Sequence, residues 1–160
     1  MRALASILLI VLVSARGLGA GTADDGRIAI AKAAAYLWSK QGADGGWHSE
    51  TYGLLKSGQS LTPFILVALL ELPDPPKEAV DRAIRFIVAN TNAAGEVGRS
   101  DPSLEDYPNF ATSLAVRALR RAGKPVDRMI EALRAQQFRA ANGWTPADAA
   151  YGGWGMGGPL

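Results

Sequence analysis

Lys32-Ala33-Ala34-Ala35-Tyr36-Leu37, then Gln41, then Gly45-Gly46-Trp47: this stretch decides how the rest of the chain is read. At an offset of 50 stand Arg82-Ala83-Ile84-Arg85-Phe86-Ile87, then Thr91, then Gly95-Glu96-Val97. The same offset carries Thr62 onto Thr112, Leu66 onto Val116, Ala68 onto Ala118 and Leu69 onto Leu119. A third copy starts 46 residues after the second, as Arg128-Met129-Ile130-Glu131-Ala132-Leu133, with Gln137 and Gly143-Trp144 behind it. A period near 50 carrying helical patterns describes a stacked array of helix pairs, since one pair cannot bury its apolar face alone.

Five helices are expected. The first covers about 28–40, with Ile30, Ala34, Leu37 and Trp38 on one side and Gly42 as its stop. The second, about 61–72, is apolar all round from Phe64 to Leu70, with Pro63 in its first turn. Asp74-Pro75-Pro76 breaks it and opens a third at about 76–91. A fourth follows Pro108-Asn109 and runs to Ala122, and a fifth covers about 125–138. Amphipathic helices one, three and five alternate with the largely apolar two and four, which predicts an outer layer around an inner one. The short connections at 73–76 and 123–124 alternate with long glycine-rich ones at 42–60 and 92–109. One rim of the array therefore carries the long loops, where function is commonly found.

The chain begins differently. Arg2 precedes an apolar run from Ala3 to Val13, and small residues follow through Gly21. This is the layout of a secretory signal, too short for a membrane span, which needs about 20 apolar residues. Residues 1–23 are expected to be removed on export to a bacterial periplasm or exterior, with Val13-Ser14-Ala15 and Gly21-Thr22-Ala23 as cleavage triplets. No stable membrane span is expected after cleavage. With no cysteine there is no lipid attachment, no disulfide and no thiolate ligand or nucleophile. A net charge of +2, with arginines spread over three helices, does not describe a nucleic-acid binder.

Residues 32–47 fit the QW motif of squalene and oxidosqualene cyclases at every fixed position: Lys32, Ala33, Tyr36, Leu37, Gln41, Gly45 and Trp47. The second copy keeps Arg82, Ala83, Phe86 and Gly95 but has Thr91 for the Gln and Val97 for the Trp. The third keeps Arg128, Leu133, Gln137 and Trp144, with Gly143 directly beside the Trp. The chain thus resembles the squalene cyclase and prenyltransferase repeat family over about 28–154. That resemblance implies an all-α fold, an α/α toroid of helical hairpins. Five helices supply an incomplete, open portion of it, so residues 24–160 read as a partial toroid continued beyond Leu160. It further implies that Gln41, Gly45, Trp47, Gln137 and Trp144 are structural, the Gln tying loop to helix end and the Trp shielding that contact. An amide suits the task because it offers both donors and an acceptor to orphan helix-terminal groups.

The resemblance implies two kinds of chemistry. Class II cyclases protonate their substrate with the middle Asp of a D-x-D-D motif. Here Asp24-Asp25 lacks the first Asp and reads as a solvated segment, and Glu105-Asp106 lacks the spacing. Prenyltransferases hold zinc with Asp, Cys and His, whereas this chain has one His and no Cys. No catalytic residue, no metal ligand and no cofactor is therefore assigned. His48, Tyr52, Tyr107, Tyr151 and Trp154 are candidates for a pocket or for loop packing, aromatics being what a carbocation pocket requires. His48 reads first as a loop hydrogen-bonder. The expected partner is an apolar small molecule such as an isoprenoid, and the isolated segment is expected to self-associate. Two functions are open: a cyclase-like protein with its acid beyond residue 160, or a secreted non-catalytic scaffold on the same toroid.

Overall fold

In the computed structural model, residues 22–99 and 106–157 are described. The expected signal, apart from Thr22 and Ala23, lies outside them, as does Glu105. Among the described residues there are five α-helices: α1 (Ala23–Ser39), α2 (Leu61–Leu69), α3 (Lys77–Ala89), α4 (Pro108–Arg121) and α5 (Asp127–Ala135). Short 3-10 turns lie at Gly53–Leu55 and Ala140–Asn142. Among the described residues there is no strand, and Thr91 and Val97 form an isolated antiparallel bridge. The all-α expectation holds.

The chain divides into two compact units, Met1–Tyr36 and Leu37–Leu160. In the first, α1 starts at Ala23, earlier than the apolar pattern predicts. Thr22 supplies the reason: its amide and hydroxyl both donate to Asp25 Oδ2, at 2.8 and 2.9 Å, while its Oγ1 accepts from the Asp25 amide. Such a reciprocal cap satisfies helix-terminal groups and starts the helix ahead of the apolar positions. Asp24 and Asp25 therefore lie in a helical first turn, where carboxylates favour the dipole. No residue of α1 is buried, and Ile28, Ile30 and Tyr36 are exposed.

The second unit is centred on α4, which packs against α2, α3 and α5. Its contact face explains this: Ala111, Ala115 and Ala118 recur at helical spacing and are fully or almost fully buried beside Leu119. Small side chains there let α2 approach closely, and Leu66, Leu69, Ile87 and Leu119 fill the space between the helices. Each such side chain contributes about 1.5–3 kcal/mol by leaving water. α2 stops at Leu69, and Asp74 at φ 50° turns the chain into Pro75-Pro76 and α3. α4 ends where Lys124 N–H donates to Leu119 O at 2.9 Å across Gly123, whose φ is 68°. An ion pair from Arg121 Nη1 to Glu71 Oε1, 2.7 Å, joins α4 to the segment after α2, at positions 50 apart.

Helices two and four are not sealed all round. Phe64 is 53% exposed and Phe110 36%, although their neighbours Leu66 and Ala111 are buried. The uniformly apolar pattern of 61–72 thus has one face in the core and one in the open.

The 50-residue period reappears as bonds. The Trp47 amide donates to Thr62 Oγ1 at 2.9 Å, and the Val97 amide donates to Thr112 Oγ1 at 2.9 Å. Gly42 and Gly45 are tied by Gly42 N–H to Gly46 O and Gly45 N–H to Gly42 O; Asn92 and Gly95 repeat the pair with Glu96 O and Asn92 O. Gly45 and Gly95 have φ of 93° and 91°. A Cβ on either would lie 2.5–2.6 Å from the carbonyl oxygen of Arg82 or Arg128 respectively, so both the turn and the close approach demand glycine.

Candidate functional site

Gln41 stands at the join of three elements. Its Nε2 donates to Gly45 O at 3.0 Å and to Ala79 O at 2.9 Å, and its Oε1 accepts from Arg82 Nη2 at 2.7 Å. The loop after α1 is thereby fixed to the first turn of α3. Trp47 covers the joint: it is 2% exposed, its Nε1 donates to Leu37 O at 2.6 Å, and its ring lies 5.5 Å from that of Trp38. One of the α1 C-terminal carbonyls, Leu37 O, thereby gains the indole as a donor.

The third copy repeats this joint with a different tryptophan. Gln137 Nε2 donates to Gly152 O at 2.9 Å, and Trp154 Nε1 donates to Leu133 O at 2.6 Å. Leu133 corresponds to Leu37, so Gly152-Gly153-Trp154 is the counterpart of Gly45-Gly46-Trp47. Phe138 N–H to Gly153 O and Gly152 N–H to Phe138 O close the same bracket. Trp144, the expected counterpart, lies instead in the excursion between the bracket ends and stacks on Phe138 at 4.4 Å. Two residues separate Gly42 from Gly45, whereas thirteen separate Phe138 from Gly152, and this insertion moves the tryptophan of the third joint from the spacing of Trp144 to Trp154. The repeated Gly-Gly-Trp spelling was the signal that identifies Trp154.

His48 has its Nδ1 2.9 Å from Lys56 O and its Nε2 3.0 Å from Asp44 Oδ2, with its ring edge-on to Phe86 at 5.7 Å. Both nitrogens face acceptors within its own loop. Burial would raise the Asp44 carboxyl, but the Gly46 amide and His48 outweigh it and hold the group below the usual carboxylate range. Tyr52 is exposed at the start of the first 3-10 turn, and Tyr151 is exposed in the third loop. Tyr107 is half-buried at the N-terminus of α4 with φ 46°, a left-handed conformation that a bulky residue holds only under constraint. The structure does not bring these tyrosines and His48 into one pocket among the described residues.

Asp106 is fully buried and serves as a strut. Its Oδ2 accepts from Ser57 Oγ at 2.6 Å and from the Ser60 amide at 3.1 Å, while Oδ1 accepts from Ser60 Oγ. This carboxylate therefore sits at the N-terminus of α2, where the helix dipole favours it. Beside it the Gly98 amide donates to Gln59 Oε1 at 2.9 Å. Asn109 in the first turn of α4, the counterpart of Gln59, donates through Nδ2 to Gly155 O of the third loop at 3.0 Å, and its amide donates to Met156 O at 3.0 Å. The second and third long loops thus dock on the starts of α2 and α4, the even-numbered helix of the preceding copy in each case.

Two of the open surfaces have apolar walls. Phe64 and Phe110 lie 6.0 Å apart, one from α2 and one from α4. A cleft of about 340 Å³ adjoins Phe110, with Leu133, Trp154 and Met156 in its wall. A larger groove, about 800 Å³, lies between α3 and α5. Among the described residues no group of three or more His, Cys, Asp or Glu side chains could hold a metal, and no helix is long and apolar enough to cross a membrane. No protein-family model, curated protein or solved structure matches this chain.

Proposed function

We propose that this chain is a helix-hairpin repeat protein of the squalene cyclase and prenyltransferase kind, and that this segment binds an apolar, isoprenoid-like molecule. The single observation that carries the ligand is the exposed pair Phe64 and Phe110, contributed by successive copies and continued by Trp154 and Met156 along the small cleft. Contiguous exposed aromatics at a concave surface mark a place where apolar matter is held. Kinship is supported by the Gln41–Trp47 joint and its repetition at Gln137 and Trp154. In this reading α2 and α4 belong to the inner layer of an α/α toroid, and residues 1–23 carry the protein out of the cytoplasm.

The test is uptake of radiolabelled farnesol and squalene by the purified chain, with light scattering to monitor the self-association that exposed rings favour. Saturable uptake that is lost in F64S/F110S, with the helical melt retained, is the expected result. Absence of saturable uptake by the folded protein overturns the reading.

A non-catalytic scaffold is the second reading, and Asp106 favours it. The buried carboxylate that a proton-donating mechanism would recruit has both oxygens engaged by Ser57 and Ser60. Cyclised products from squalene would decide against it.

A further inference from the structure

The groove between α3 and α5 is the second copy of the Gln41 joint, and it lacks its amide. Thr91, Gly95, Pro125 and Arg128 line it. These positions correspond to Gln41, Gly45, Ala79 and Arg82, which the Gln41 side chain links in the first copy. Thr91 cannot reach across. Its hydroxyl turns back to donate to Ile87 O at 2.8 Å, the carbonyl that corresponds to the indole acceptor Leu37 O. Val97 replaces the tryptophan and is wholly buried, so no large ring fills the space. Arg128 stands where Arg82 meets an amide oxygen, and no described side chain accepts from it.

The occupant can be read from this comparison. Its head must accept from Arg128 as Gln41 Oε1 accepts from Arg82. Arg85, Lys124 and Arg128 on the rim outnumber Asp127, which favours an anionic head. Its body must be apolar, because Ile84, Val88, Leu119 and Met129 form the wall. The volume of about 800 Å³ exceeds an amide many times over and falls in the range of small-molecule sites, about 300–1,000 Å³. We infer that this groove binds a monocarboxylate with a compact apolar body, the carboxylate on Arg128 and the body against α3 and α5. This site is separate from the Phe64–Phe110 surface.

Calorimetric titration of the full chain with indole-3-acetate, octanoate and the uncharged indole-3-ethanol tests it. Saturable binding of at least one carboxylate is expected, and comparing the two shows whether a planar or a chain-like body fits. Indole-3-ethanol should bind indole-3-acetate's site about ten- to hundredfold more weakly, the worth of a charged hydrogen bond. R128Q should weaken the carboxylates by the same factor and leave indole-3-ethanol unchanged. T91Q, which restores the missing amide, should abolish binding and raise Tm. F64S/F110S should leave carboxylate binding intact, so failure here is distinct from failure of the apolar surface. Failure of both carboxylates to bind the folded protein overturns the inference, as does binding that neither R128Q nor T91Q alters.

Discussion

Gln41 links a loop carbonyl, a helix carbonyl and a guanidinium through one amide, while Thr91 at the same point of the next copy makes a single bond to its own helix. Gln41→Ala should therefore cost about 1–3 kcal/mol, since it leaves Ala79 O and Arg82 without their partner, and urea unfolding would measure it. Trp47 and Trp154 make the same indole bond but differ in burial, 2% against 48% exposed. Trp47→Ala should destabilise by about 3–5 kcal/mol, and Trp154→Ala by much less. Equal losses in chemical denaturation would contradict that ordering. Asp106→Ala removes the acceptor of two hydroxyls and an amide, and a loss of about 1.5–3 kcal/mol is expected. The role of Asp106 could not be read from Glu105-Asp106 as an acidic pair, because its partners, Ser57 and Ser60, lie nearly 50 residues earlier.

At the scale of elements, existence and type of all five helices were legible, because the apolar spacing and the Gly and Pro punctuation agree. Their ends were less so. α1 begins at a Thr22–Asp25 cap that no apolar period announces, and α5 stops at Ala135 where Phe138 turns to bond Gly152 and Gly153. The third joint uses Trp154 and not Trp144 for a related reason: constant spacing predicts Trp144, but the longer third loop carries the indole bond to Trp154. Four carboxylates at helix starts and loop turns share one electrostatic consequence. The Thr22 amide holds Asp25 low, the Lys77 hydrogen bond holds Asp81 low, and the Thr145 amide holds Asp148 low; partial desolvation would raise Asp44, but the Gly46 amide and His48 outweigh it and hold it low too. A depressed folded-state value adds stability above the unfolded one, near 3.8, and this is lost as pH falls through the folded value. Tm should thus be flat near neutrality and fall below about pH 4, and Asp44→Asn should shrink that fall. A Tm that rises on acidification would contradict the assignment.

Across the whole second unit, the loops and not only the helices hold successive copies in order. Gly98 and Asp106 reach back to Gln59 and Ser60, and Gly155 and Met156 reach back to Asn109. The third loop does this although it carries eleven more residues inside its bracket than the first two. Cutting 139–151 down to two residues, as in Gly42–Gly45, should therefore keep the fold: the shorter closure gains about 1 kcal/mol, and losing the Asn142 bonds to Ala135 O and Gln137 O offsets it, so Tm should change little. A molten product in near-ultraviolet circular dichroism would show that the excursion itself is needed. The bracket has a practical side as well. Two backbone bonds at Phe138, Gly152 and Gly153 clasp the ends of a segment whose length the protein already varies from copy to copy. The clasp is thus a ready splice point: randomised or foreign peptides set between Gly143 and Gly152, with Asn142 kept on Ala135 O and Gln137 O, would be displayed on a rigid base with their ends pinned.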